Sequence, residues 1–258
     1  MKPTACWRNP ASAVTWTVSA ALAFCLLATP AAAVTCEDGT FESVPYTACT
    51  VNPGTEELRL WHTAPDGQIF GTFDRVRDAV AGGGKELAFA MNGAMYHEDR
   101  SPVGLYIEQG VEQSRLVTSD GPGNFGLLPN GVFCLSGETA AVIETLAFAA
   151  DTPACTFAAQ SGPMLVIDGA LHPDFIETST SRFVRNGVGV RPDGTVVFAI
   201  SNAPLNFHRF ARLFRDVLGA PNALYIDGNV SRLYAPALGR HDIGLPLGPI
   251  VGIVEPLG

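Results

Sequence analysis

Positive charge is scarce in this chain: 16 Lys and Arg stand against 25 Asp and Glu, a formal net charge of −9 over 258 residues. So acidic a surface has no electrostatic case for binding nucleic acid or an anionic membrane. Beyond residue 33 no apolar run is long enough to span a bilayer. Several chemical signatures are missing too. There is no Gly-x-Ser-x-Gly elbow, no Walker loop, no His-Glu-x-x-His and no dinucleotide glycine fingerprint; Gly187 and Gly189 are two glycines of a strand without the third. His97-Glu98-Asp99 could hold a metal, but a lone His beside acids is more simply a solvated loop. No cofactor is expected, with a divalent cation as the open alternative. Linkers rich in Pro or Ser, charge blocks and internal repeats are absent as well.

What is present begins with the N-terminus. Lys2 and Arg8 precede an uncharged run over residues 11–28, and Ala31 and Ala33 form a small-x-small exit. This pattern predicts a secretory signal peptide over residues 1–33, followed by one domain over 34–258. A membrane anchor would call for a longer run, and Phe24 before Cys25 argues against a lipoprotein. The protein is therefore expected in the periplasm or secreted. Cys36, Cys49, Cys134 and Cys155 remain after cleavage, and no pair has metal-finger spacing. An oxidising compartment favours bridges, with Cys36–Cys49 and Cys134–Cys155 each closing a local loop; two reduced, buried thiols are the alternative.

Residues 34–55 read as an irregular, cross-linked leader. Strands are expected over Glu57–Trp61, Glu86–Met91 and Pro249–Val254. Phe73, Val76 and Val80 recur at helical spacing before the stop at Gly82-Gly83-Gly84. Val103–Glu108 and Val111–Val117 form a hairpin around Gln109-Gly110. Further hairpins turn at Asn130-Gly131, Asp168-Gly169 and Asp193-Gly194. Asn206 caps a helix carrying one apolar stripe from Phe207 to Leu218. The class is α+β: mixed, hairpin-rich sheets with a few flanking helices in a single domain.

Five strand ends combine small and polar residues: Asn92-Gly93, Gln160-Ser161-Gly162-Pro163, Arg185-Asn186-Gly187, Ser201-Asn202 and Asp227-Gly228. Each also has a plain reading as a turn, and Asp-Gly recurs at 66, 168 and 193. Ala223–Ile226 is an apolar strand that ends at Asp227, with Asn229, Ser231 and Arg232 just beyond. Together these make a polar pocket with one strong cation and few carboxylates, suited to an anionic, hydroxyl-rich ligand.

Asn92-Gly-Ala-Met-Tyr96, Pro102-Val-Gly-Leu-Tyr106, Gln160-Ser-Gly-Pro-Met-Leu165, Arg185-Asn-Gly-Val-Gly-Val190 and Tyr225-Ile-Asp-Gly228 resemble the phosphodiester glycosidase family, and most closely its exported bacterial branch. The likeness runs in order from Leu58 to the C-terminus. It implies mixed sheets with few helices and hydrolysis of a sugar-1-phosphodiester, with a cell-wall or exopolysaccharide phosphodiester as the substrate class. The family's motifs fall on Asn92-Gly93, Arg185 and Asp227-Gly228, and its serine on Ser231. Catalysis is then expected from Asp227 as base or nucleophile and Arg185 as phosphate holder, with Asn92 and Ser231 orienting substrate or water. Gly93, Tyr96, Glu98, Ser161, Gly162, Asn186, Ser201, Asn202, Gly228 and Arg232 complete the expected substrate site, with Glu98 the reserve acid. Asn229-Val230-Ser231-Arg232 departs from the family's glycine and serine run, so the same sugar does not follow. A phosphate leaves more readily than a sugar alcohol, which lessens the need for a general acid. Two other readings stay open: a non-catalytic binder of anionic glycans, and a phosphodiesterase that cuts the P–O bond.

Overall fold

The computed structural model describes residues 34–257 together with Met1 and Thr4, so the signal peptide expected over 1–33 lies almost wholly outside the described residues. The strands of the first half are β1 (Thr35–Phe41), β2 (Val44–Val51), β3 (Glu57–Trp61), β4 (Lys85–Asn92), β5 (Tyr106–Glu108), β6 (Val111–Ser114), β7 (Gly131–Ser136) and β8 (Thr139–Glu144). Those of the second are β9 (Phe157–Ser161), β10 (Met164–Ile167), β11 (Ala170–Leu171), β12 (Asn186–Val190), β13 (Val196–Ser201), β14 (Asn222–Asp227), β15 (Leu233–Ala235), β16 (Arg240–His241) and β17 (Ile250–Pro256). Three short helices accompany them: α1 (Phe73–Ala81), α2 (Thr145–Ala150) and α3 (Phe207–Arg212).

The strands form a seven-stranded sheet (β1-β2-β13-β12-β14-β10-β11) and two five-stranded sheets (β16-β15-β4-β17-β3 and β6-β5-β9-β7-β8). The α+β, hairpin-rich class holds, with the pairings antiparallel where mixed sheets were expected. β13 shows why its sequence is apolar from Val196 to Ile200. Val196, Phe198 and Ile200 point into the core shared by the sheets, while Val197 and Ala199 point into a second core under α3. A strand covered on both faces loses polar alternation. β14 splits the same way, Leu224 and Ile226 on one side and Ala223 and Tyr225 on the other.

The three sheets meet at a trio of rings. Phe198 of the seven-stranded sheet lies 5.2 Å from Phe89 of β4 and 5.8 Å from Phe133 of β7, centroid to centroid. On the opposite face Phe214 packs onto the β12 backbone. A Cβ at Gly187 or Gly189 would stand 3.2 or 3.0 Å from its ring atoms, and bare backbone lets the helix approach.

Several local expectations hold. α1 buries Phe73, Val76 and Val80 and ends at Gly82; its N-cap, Thr72, which accepts from Arg75 N, lies outside the expectation. The turns at Asp168-Gly169 and Asp193-Gly194 join β10 to β11 and β12 to β13. Both disulfides, Cys36–Cys49 and Cys134–Cys155, are formed.

Three others need correction. Residues 34–55 are no irregular leader: they form β1 and β2, and β2 is an inner strand paired with β13. Asn130-Gly131 is not a hairpin turn. The fully buried Asn130 side chain donates to Phe125 O (2.8 Å) and accepts from Thr145 Oγ1 (2.6 Å), and the chain reverses instead at Gly137, whose φ is +59°. Asn206 caps α3 as expected, but the helix changes to a π-helical turn at Leu213–Val217.

Phe198→Ala should therefore cost about 3–5 kcal/mol of unfolding free energy in urea titration, because it opens a cavity between all three sheets. A cost below about 1 kcal/mol would show that the ring trio is not where the sheets lock together.

Candidate active site

The ends of β4, β12 and β14 converge. Asn92 closes β4 and Asn186 opens β12; both are fully buried. Asn92 Nδ2 donates to Asn186 Oδ1 (3.0 Å), and Asn186 Nδ2 returns a bond to Asn92 O (3.2 Å). Asn186 also pairs with Asp227 in the register of β12 with β14. The Ser231 hydroxyl joins this knot at Asn186 Oδ1 (3.1 Å) and Asp227 O (2.9 Å), and Arg232 N donates to Asn92 Oδ1 (3.1 Å). Four predicted residues thus form one hydrogen-bonded support directly behind Asp227.

Asp227 itself is half-buried on the wall of a cleft of about 1110 Å³. Its Oδ1 accepts from Gly228 N (2.5 Å) and Asn229 N (2.7 Å). Burial raises its pKa, and those backbone N–H groups and the nearby Arg232 charge hold it back down. Arg232 is 8 % exposed, with Gly244 against its guanidinium, and its Nη2 has no hydrogen-bond partner among the described residues. Burial lowers its pKa, yet a guanidinium stays charged. Tyr96 donates its hydroxyl to Pro246 O (3.1 Å), and burial together with Asp227 pushes its pKa up to about 12, so it remains a neutral phenol.

Arg185 occupies a different environment from the one its role requires. It is 1 % exposed and absent from the cleft wall. Its Nε donates to Leu205 O (3.0 Å), one Nη to Ser181 O (3.3 Å), and the guanidinium stacks 3.7 Å from the Phe207 ring centre. Nη1 has no hydrogen-bond partner among the described residues. Tyr225 lies between this charge and the cleft: its ring centre is 5.3 Å from Arg185, and Tyr225 lines the cleft. Burial is the chief cause that raises the Tyr225 pKa, against the pull of Arg185.

Of the expected residues, Tyr96, Glu98, Asp227 and Gly228 line the cleft. Ser201 accepts from Arg185 N (2.9 Å), and Ser161 donates to Ile226 O (3.2 Å), so both position backbone behind the wall. Gly93 and Gly162 serve close packing, a Cβ there meeting Val251 N at 2.9 Å and Asn130 Cβ at 2.5 Å. Asn202 is drawn elsewhere, to Thr47 Oγ1 (3.0 Å) and Arg240 Nη1 (2.7 Å). The sequence reading missed Tyr225 and the glycine-rich segment Ser119–Gly126, which supplies Ser119, Asp120, Asn124 and Phe125 to the cleft. Its signal was a long stretch without strand pattern between β6 and β7, since loops of that length are commonly functional. No group of three His, Cys, Asp or Glu among the described residues could hold a metal ion.

Because burial raises the Asp227 pKa, the folded state holds its proton more tightly than the unfolded chain does. That contribution favours the fold below the unfolded pKa of about 4 and is lost as pH rises through the folded value. Asp227→Asn should therefore melt above wild type at pH 7, with the gap shrinking as pH falls toward 4. A melting temperature below wild type at pH 7 would contradict this account.

Comparison with known proteins accords with this architecture. The model of a family described as phosphodiester glycosidase matches residues 85–242. The uncharacterized protein YigE of Escherichia coli (strain K12) is 36% identical over 187 residues, 72% of this chain and 73% of its own length. Among solved structures, the catalytic domain of zebrafish N-acetylglucosamine-1-phosphodiester alpha-N-acetylglucosaminidase, auto-inhibited by its pro-peptide, superposes with a TM-score of 0.58 at 12% identity, over 85% of this chain and 81% of that one. A Synechocystis protein superposes with a TM-score of 0.57 at 15% identity, over 86% of this chain and 61% of that one. Identities so low speak for shared fold only. The sequence matches carry the kinship: the chain belongs to the phosphodiester glycosidase family.

Proposed function

We propose that the protein is an exported hydrolase that cleaves the glycosidic bond of a sugar-1-phosphodiester of the cell-wall or exopolysaccharide kind. The observation that supports this most directly is the Asp227 carboxylate, held on the cleft wall by two backbone N–H groups with the Arg232 charge close by. In the reaction, water attacks the anomeric carbon and Asp227 takes its proton. The C1–O bond breaks, its electron pair passes to the phosphate oxygen, and a phosphate monoester leaves. Arg232 neutralises the departing charge, and Arg185 adds its field from beneath Tyr225. That assignment moves the main charge contribution from Arg185 to Arg232: neither guanidinium lines the cleft, but the Arg232 charge acts on the cleft residues Asp227 and Tyr96, whereas Arg185 is sealed under Phe183, Phe207 and Tyr225. Asn92, Asn186 and Ser231 fix the strand ends, while Glu98, exposed on the cleft, is the reserve acid. The zebrafish domain's name, N-acetylglucosamine-1-phosphodiester alpha-N-acetylglucosaminidase, supports the same substrate chemistry. Two disulfides suit an oxidising compartment. No helix of the described residues is long and apolar enough to cross a membrane.

Purified protein incubated with a panel of sugar-1-phosphodiesters in oxygen-18 water should place label in the released sugar. Label in the phosphate would establish P–O cleavage and overturn the reading; saturable binding without product would make the protein a glycan binder. Asp227→Asn should lower kcat about 10²–10⁴-fold. Arg232→Met should lower kcat/KM about 10²–10³-fold, and wild-type turnover in either variant removes that residue from the mechanism.

A further inference from the structure

Large apolar side chains stand open to water beside Asp227. Phe183 is 47% exposed, Leu245 70% and Ile243 83%. Phe183 and Leu245 line the cleft together with Val230 and Pro246, and Ile243 continues the apolar stretch just outside it. Their attachment to the reactive corner is direct. Phe183 Cβ lies 3.5 Å from where a side chain on Gly228 would begin. Gly244, next to Leu245, packs on the Arg232 guanidinium, and Pro246 O accepts the Tyr96 hydroxyl. The segments before β12, after β14 and before β17 thus bring this rim to the carboxylate and the cation together. Polar lining comes chiefly from other segments, with Ser119, Asp120 and Asn124 between β6 and β7 and His97, Glu98 and Arg100 after β4; Asn229 beside Val230 is the polar exception on the rim.

A second sugar in the leaving half would fit this rim poorly. Its hydroxyls would lose water against Val230, Leu245 and Pro246, whose side chains return no hydrogen bond, and a stranded polar group is costly. Large apolar groups gathered at a cleft instead mark the site of an apolar partner. We propose that the leaving half of the substrate is a long alkyl or prenyl chain. The substrate is then an amphiphilic sugar-1-phosphate ester, its sugar on the polar segments, its phosphate beside Asp227 within the field of Arg232, and its chain across Phe183, Val230, Leu245 and Pro246. This rests on the glycosidic hydrolysis proposed above: water adds to the anomeric carbon, the C1–O bond breaks, and the products are free sugar and an alkyl phosphate.

The test is a series of methyl, butyl, octyl and dodecyl esters of the panel's sugar 1-phosphates, each below its micelle concentration, assayed in oxygen-18 water. In wild type kcat/KM should rise by up to about fourfold per methylene over the first carbons. Phe183→Ser/Leu245→Ser should flatten that slope, and Leu245→Ser alone should reduce it; circular dichroism checks that each variant folds. A flat series with the methyl ester cleaved and label in the sugar overturns the apolar leaving half and leaves the hydrolysis standing. Cleavage of no ester overturns both. A full slope in the folded double variant removes the chain from this rim.

Discussion

Two side chains, Asn92 and Asn186, hold the site in place. Each gives the other a hydrogen bond in a region closed to water, so the tip of β4 in one sheet is tied to the start of β12 in another. A buried amide left without its partner costs on the order of 1–3 kcal/mol. The pair is therefore satisfied only when both sheets stand in one relative position. Ser231 and the backbone of Arg232 fasten to the same two residues, and the loop after Asp227 has little freedom once they have done so. The direction of one carboxylate is thereby set by packing between sheets together with the Gly228 and Asn229 N–H groups of its own loop.

Charge is handled differently at the two buried arginines. Arg185 is compensated by two backbone carbonyls and by the face of Phe207, an arrangement suited to a delocalised guanidinium, with Nη1 left without a hydrogen-bond partner among the described residues. Its field is permanent and its position fixed. Arg232 is held mainly through its backbone, and its guanidinium faces Asp227, Asp242 and Tyr96. In an acidic protein these two charges make a local positive region around the Asp227 carboxylate. The dipoles are laid down by folding, so little reorganisation remains when an anion arrives.

Much of the fold was legible because its strands and α1 carry local signals. Glu57–Trp61 and Met164–Ile167 match β3 and β10 at both ends, and Gly82 ends α1 where the glycine run placed its stop. The failures came where tertiary partners override local chemistry. Asn130-Gly131 has turn composition, but Thr145 and Phe125 claim the asparagine from elsewhere in the chain. Residues 34–55 looked irregular because Pro45 and scattered polar residues interrupt them; only β13, far downstream, makes β2 an inner strand. In the site, motif residues pointed to the right strand ends without saying which side chains reach solvent. Asn92, Arg185 and Ser201 are buried behind the cleft wall, and Tyr225, read as part of an apolar run, lines the cleft. One apolar run feeds two cores here, and periodicity alone cannot assign an aromatic ring to a pocket.

The pairing of β2 with β13 also bears on how the chain assembles. Val51 lies opposite Val196, and Tyr46 opposite Ser201, so an inner seam of the largest sheet joins residues remote in sequence. Closing so long a loop costs entropy before any contact repays it, which places this seam late in folding. The β1–β2 hairpin, cross-linked through Cys36 and Cys49, can form early as a local unit. It must then wait, with one strand edge unpaired, until more than half of the domain has followed it. Among the described strands, those made first are thus among the last to find their place.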